Sequence, residues 1–230
     1  MTFIDCLLAG SVAIICGLDR MALCQFMISR PIVAGPLTGL VLGEPLVGLQ
    51  IGMLVELLWL GRLPVGASIP PDDTQVAVGA TFLVVSSSGL WSYPEPVIVA
   101  FCLMVALPLG KCGQLFDHMS RRANDNLGRK AERFLLAGEL DSAERSHLVG
   151  IGHFALSSLL SFIVIAGLGS LLNFGLVPML ASFFEPAGYW LLLVFPLIGA
   201  AMILRSININ RAITLFGASF ASALIILWAL

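Results

Sequence analysis

The chain has 230 residues, of which 58% are hydrophobic and only 11% charged, with a mean hydropathy of +0.99; soluble domains carry about a quarter charged residues, so an ordinary soluble enzyme is excluded. A net charge of -2 and a sequence pI near 5.9 leave no electrostatic footprint for nucleic acid, which is excluded as a partner. A helix rises about 1.5 Å per residue and the hydrocarbon core is about 30 Å thick, so a crossing takes about 20 apolar residues and the chain has room for about six to eight. It reads as an all-α, polytopic integral membrane protein whose surroundings are a lipid bilayer.

The first apolar stretch, residues 2–18, has no Lys or Arg before it, and Asp5 sits where a signal peptide would carry positive charge. It reads as a retained membrane helix. Cys6, Cys16, Cys24, Cys102 and Cys112 form no CxxC pair and no Cys/His cluster with metal spacing, so they read as small packing residues and no metal is expected. Residues 31–43, 46–61, 76–90 and 97–109 are apolar too, but several are too short to cross alone. Short helices that end inside a membrane need an interior cavity or protein to satisfy their free backbone groups, as broken helices at transport sites do. The first half is therefore expected to hold short, broken or re-entrant helices. Gly35, Gly39 and Gly43 recur every four residues and Gly48 and Gly52 repeat the interval, which places each set on a helix face that another backbone can approach closely.

The densest polar signal runs over residues 50–75: Gln50, Glu56, Arg62, Ser68, Asp72, Asp73, Thr74 and Gln75 in an apolar frame. An ionisable group inside a membrane is costly and by default faces a cavity. Glu56 stands deep in an apolar helix, where a ligand, an ion pair with Arg62 or the capping of a neighbouring helix end would each justify it. Three prolines between residues 64 and 71 exclude a regular helix there, and Asp72 or Asp73 can cap the helix that begins near Thr74. Two adjacent acids exceed what one cap needs. Carboxylates and amides backed by an aromatic face suit sugar hydroxyls, which both donate and accept. Glu56, Asp72, Asp73, Gln50 and Trp59 form that candidate set, although a proton or cation pathway would use the same acids.

Residues 111–146 hold 7 of the 12 basic and 6 of the 14 acidic residues. Cytoplasmic loops retain Lys and Arg, so this stretch is expected to be a charged central loop in the cytoplasm. Asp141 and Glu144 have capping-box spacing for a helix that enters the membrane near Leu148. His118 and His147 at the edges read as interfacial histidines. Beyond the loop, residues 148–172 and 212–230 each suit one crossing, while Pro178, Glu185-Pro186 and Pro196 break up the region between them. Three regions follow: 1–110, an N-terminal membrane region with the sugar-site motifs; 111–146, the charged cytoplasmic loop; and 147–230, C-terminal membrane helices.

The run Arg30-Pro31, Gly35-Pro36-Leu37-Thr38-Gly39-Leu40 and Leu42-Gly43-Glu44, then Glu56-Leu57-Leu58-Trp59-Leu60-Gly61, then Gly66-Ala67 and Pro70-Pro71-Asp72, resembles the IIC membrane subunit of the mannose/fructose/sorbose family of bacterial phosphotransferase-system sugar transporters. Order and spacing match over about residues 20–90. A single GxxxG would be weak, but RPxxxGPLTGLxLG followed by ELxWLG is specific. The resemblance implies a translocating subunit of the bacterial inner membrane that passes a hexose-type sugar and works in an oligomer with a IID-type membrane subunit. Cytosolic IIA and IIB phosphocarrier proteins relay phosphate to the sugar. It also implies sugar contact for Glu56 and Asp72, with no phosphorylated or catalytic residue and no cofactor in this chain. Arg62 departs from the apolar residue usual after Leu-Gly. Two rivals keep the same residues: an orphan or regulatory membrane subunit of this fold without transport, and an ion-coupled secondary transporter in which the acids carry protons.

Overall fold

The computed structural model describes residues 2–61, 70–206 and 212–229. Arg62 and Ser68 lie outside the described residues, and with them the expected pairing of Glu56 with Arg62. Among the described residues there are eight α-helices and no strand: α1 (Phe3–Met21), α2 (Pro31–Val41), α3 (Pro45–Trp59), α4 (Asp73–Ser87), α5 (Glu95–Leu136), α6 (Leu140–Phe184), α7 (Gly188–Ser206) and α8 (Ala212–Ala229). The all-α, membrane-type reading holds. Helix α5 and the stretch Leu140–Leu204 are long and apolar enough to cross a bilayer. Large apolar side chains such as Leu7, Ile163, Leu171 and Trp190 are exposed on the outside of the helices, where a bilayer would cover them.

The expected short helices are present. With 11 and 15 residues, α2 and α3 reach about 17 and 23 Å, less than the hydrocarbon thickness. Each starts with a proline at its first position, where the missing N–H costs nothing. Gly43, at φ +83°, ends α2 in the left-handed conformation and lets the Glu44 amide donate to the Gly39 carbonyl at 2.7 Å. The chain then folds back, and the two helices meet backbone to backbone. A Cβ on Gly48 would be driven into the carbonyl oxygen of Gly35, and one on Gly52 into that of Pro31. Helix α4, also 15 residues, is the centre of the molecule: it packs on α1, α2, α3, α5 and α6, and most of its side chains are buried all round.

The charged stretch is not a loop. Residues 111–146 form the outer part of α5 and the first two turns of α6, joined by a turn at Gly138, which has φ +77°. At 42 and 45 residues these helices reach about 63 and 68 Å, twice the thickness of the hydrocarbon. Charge density distinguishes water from lipid but not coil from helix. The divisions expected at residues 110 and 146 thus fall inside continuous helices. Asp141 lies in the first turn of α6, but the helix is capped at Glu139 without a side-chain hydrogen bond, so the expected capping box does not form. Pro178 and Pro196 do not end helices either; α6 and α7 run through them.

Candidate functional site

Four helix ends meet at one level: the C-terminus of α1, the N-termini of α2 and α4, and the C-terminus of α3. Helix α5 closes the layer with Gly110 and Gly113, where a Cβ would press on Val76 and on Asp72. The missing side chains let the turn before α4 lie on α5, and the Asp72 amide donates to the Gly110 carbonyl at 3.3 Å.

Arg20 is the hub. One nitrogen, Nη1, lies 2.6 Å from Asp72 Oδ1 and 2.8 Å from Asp73 Oδ1, with Thr74 Oγ1 at 3.5 Å. Asp72 Oδ1 also accepts from the Gln75 amide at 3.0 Å, so Asp72 caps α4, as one of the two acids was expected to do. Asp73 is the extra acid, and its charge is matched by the same guanidinium. Thr74 Oγ1 donates to the Ser29 carbonyl at 2.7 Å, which ties α4 to the segment before α2. That segment is held by the neighbouring residue of the hub. Buried Asp19 accepts from the amides of Phe26 and Ser29 at 2.7 and 3.0 Å. Cys24, Gln25 and Met27 adopt positive φ within it, a conformation that costs a non-glycine residue about 1–3 kcal/mol and persists where surrounding bonds fix it.

Glu56 projects from α3 to the start of α2, where Oε2 accepts from the Ile32 amide at 3.4 Å and Oε1 pairs with Arg30. Arg30, the N-cap residue of α2, makes no side-chain cap of its own. A carboxylate from another helix therefore does the capping, the second of the structural readings open at the sequence level. Gln75, fully buried, donates from Nε2 to the Ala13 carbonyl at 2.8 Å and leaves Oε1 without a partner among the described residues. A cavity of about 10 Å³, lined by Arg20, Asp72, Asp117, Ser157 and Ser158 among others, adjoins the hub. It has room for about one water molecule.

Of the five expected site residues, Asp72 and Asp73 share one ion-pair network, and Glu56 stands at the neighbouring helix start. Trp59 does not join them: it lines a separate concavity of about 280 Å³ with Pro71 and Lys111. Gln50 is half-buried on α3 and makes no side-chain hydrogen bond among the described residues. Asp19, Arg20 and Gln75 complete the layer, yet they were not among the candidates. Arg20 at the end of an apolar helix reads as an interfacial anchor, and nothing local links it to acids 52 and 53 positions away. Carboxylates held this way keep further lone pairs, since an ionised carboxylate accepts about four hydrogen bonds. Each carboxylate thus keeps acceptor capacity beyond its ion pairs. Among the described residues no three His, Cys, Asp or Glu side chains converge in a way that could hold a metal ion.

The sequence profile of one family, described as the sorbose-specific IIC component of the PTS system, matches residues 3–230. The mannose-specific EIIC component of Escherichia coli K12 is 28% identical over 137 residues, which cover 55% of this chain and 48% of that protein. The sorbose-specific EIIC component of Klebsiella pneumoniae is 24% identical over 201 residues, covering 85% of this chain and 71% of that one. Against the mannose-specific relative, the chain matches about half the length. A cryo-EM structure of the mannose transporter ManYZ with microcin E492 shares the fold, with a TM-score of 0.62 at 23% identity over 97% of this chain and 87% of that one.

Proposed function

The chain belongs to the family of sorbose-specific IIC components of the phosphotransferase system, which are membrane proteins, and we propose that it is the translocating IIC subunit of a phosphoenolpyruvate-dependent permease of the mannose/fructose/sorbose type. In this reading a hexose binds at the acid layer once its helix ends part, since the closed layer has room for about one water, and is phosphorylated by a IIB partner as it passes. The observation that carries it is the placement of Glu56, Asp72 and Asp73 at the starts of two helices too short to span the bilayer. Their remaining lone pairs take sugar hydroxyls, in line with the rule that ionisable groups inside a membrane mark a pathway. Gln50 adds an amide on α3, while Trp59 offers its aromatic face from the adjoining concavity and not from the layer itself.

The working complex contains a IID-type membrane subunit and more than one copy of this chain, with cytosolic IIA and IIB supplying phosphate, in the bacterial inner membrane. The outer α5–α6 hairpin, with seven basic residues between 111 and 146, faces the cytoplasm. A reporter that works only outside the cytoplasm is expected to stay inactive when fused at Asn126, and activity there would overturn the orientation. The deciding experiment is uptake of labelled mannose, fructose and sorbose into vesicles holding this chain and its IID partner, with and without phosphorylated IIB. Uptake that requires IIB and delivers the sugar phosphate supports the reading. Uptake independent of IIB, or driven by a proton gradient, overturns it.

A further inference from the structure

The concavity that takes Trp59 away from the acids has its own chemistry. It lies between α3, α5 and α7, and its walls include Trp59, Pro71, Pro108, Lys111, Ile198 and Met202. Its volume of about 280 Å³ is near the lower end of small-molecule sites, about 300 Å³. Among the described residues that line it Lys111 alone is charged, and Lys111 forms no ion pair among the described residues. Trp59 packs against the hydrophobic core, as does Leu107, which also lines the concavity.

The concavity shares a wall with the acid layer. Pro71 lines it and Asp72 follows directly; Gly110, whose carbonyl accepts from the Asp72 amide, precedes Lys111. Two sites of opposite sign thus stand back to back. A neutral hexose suits the acids. Once it carries a phosphate, with a charge of about -1.5 to -2 at neutral pH, the same carboxylates repel it and a lone ammonium attracts it. We propose that the Trp59–Lys111 concavity is a binding site for a sugar phosphate monoester, the product of the permease, with the sugar ring against Trp59 and the phosphate on Lys111. This rests on the transport reading above and assigns that pathway its second station. A tryptophan and a lysine at one level also anchor helices at a membrane interface, and a phospholipid headgroup offers the same phosphate chemistry.

The test uses the full chain with its IID partner in phosphatidylcholine nanodiscs, titrated by calorimetry with mannose, fructose and sorbose and with the phosphate monoester of each. The expected result is that Lys111→Gln weakens monoester binding about tenfold, that Lys111→Arg keeps it within about twofold, and that neutral sugar binding is unchanged in both. Monoester affinity unmoved by Lys111→Gln, with neutral sugar still bound, overturns this inference and leaves the transport reading standing. Absence of any neutral sugar binding by the wild-type complex overturns both. In nanodiscs containing phosphatidylglycerol, a Lys111-dependent retention of that lipid without monoester binding assigns the site to a headgroup and overturns the product assignment.

Discussion

The two helical hairpins of the molecule are held together in opposite ways. In α2–α3 the helices touch through their backbones, with Gly35, Gly48 and Gly52 leaving no room for a single carbon between them. In α5–α6 they are held through side chains: Ser120 donates to the His153 carbonyl at 3.0 Å, Asn124 to the Gly150 carbonyl at 3.1 Å, and Asn124 and His153 pair at 2.7 Å. Short helices bury little area each, so they reach a stable packing by close approach. Long helices gather many ordinary contacts and tolerate gaps. The first design makes a stiff block that can carry a site; the second makes an adaptable stalk.

The sharpest way to break this contrast is to put a side chain into the first hairpin. Gly48→Val places a branched carbon against the Gly35 carbonyl, which belongs to backbone and cannot turn aside. The expected loss is about 3 kcal/mol or more, at the upper end for overpacking. Thermal unfolding of the purified protein in detergent measures it, and a variant that melts at the wild-type temperature would show that the two backbones are not in contact.

The next largest effect concerns what the stiff block carries. Arg20→Gln removes the shared partner of Asp72 and Asp73, leaving two acids at the start of one helix. The expected cost is about 2–3 kcal/mol, below the full value for a buried pair because the side chains keep 16% to 31% of their exposure. A double-mutant cycle with Asp73→Asn should show a coupling of about 1 kcal/mol. Strict additivity would mean that Arg20 and Asp73 are neighbours without an interaction.

Smaller still is the effect at Glu56. Glu56→Gln keeps the shape and one acceptor for the Ile32 amide but loses the Arg30 ion pair and a charged acceptor, so hexose affinity is expected to fall about tenfold. Asp72→Asn is expected to cost less, because Asn caps nearly as well and Asp73 still holds Arg20. Sugar titration of the complex ranks the two. A larger loss at Asp72 would move the centre of the site from α3 to the start of α4.

The ranking of Glu56 above Asp72 follows from the sequence, but the contacts behind the other effects do not, and the reason differs between the hairpins. The limits of α2, α3 and α4 are legible because Pro31, Pro45, Gly43 and Asp72 are local punctuation that acts within one turn. Pro108, Pro178 and Pro196 are the same residue type, yet the helices run through them; one lost hydrogen bond is outweighed where neighbouring helices hold both sides. The acids proposed as the site stand out in the sequence because they are charges in an apolar frame. Their partners were not, because Arg20 and Arg30 reach them only through the fold, and the separation of Trp59 from the acids depends on how α3 ends against α7.

The smallest predicted effect sharpens the comparison by using the same residue type with the opposite sign. Gly128 lies on the outer part of α5, exposed, with no heavy atom within 4 Å of the place a Cβ would take. Its backbone is helical, so alanine fits without strain, and alanine loses less backbone freedom on folding than glycine does. Gly128→Ala should therefore stabilise the protein by about 0.5–1 kcal/mol. Local hydrogen exchange is the suitable measurement, because the gain belongs to one stretch of α5. Protection is expected to rise over the turns around residue 128 and to stay unchanged in α2 and α3. A loss of protection there would mean that the groove beside Gly128, which Leu127, Ala131, Ser146 and His147 also line, admits no further carbon, and that the stalk is packed as tightly as the block it supports.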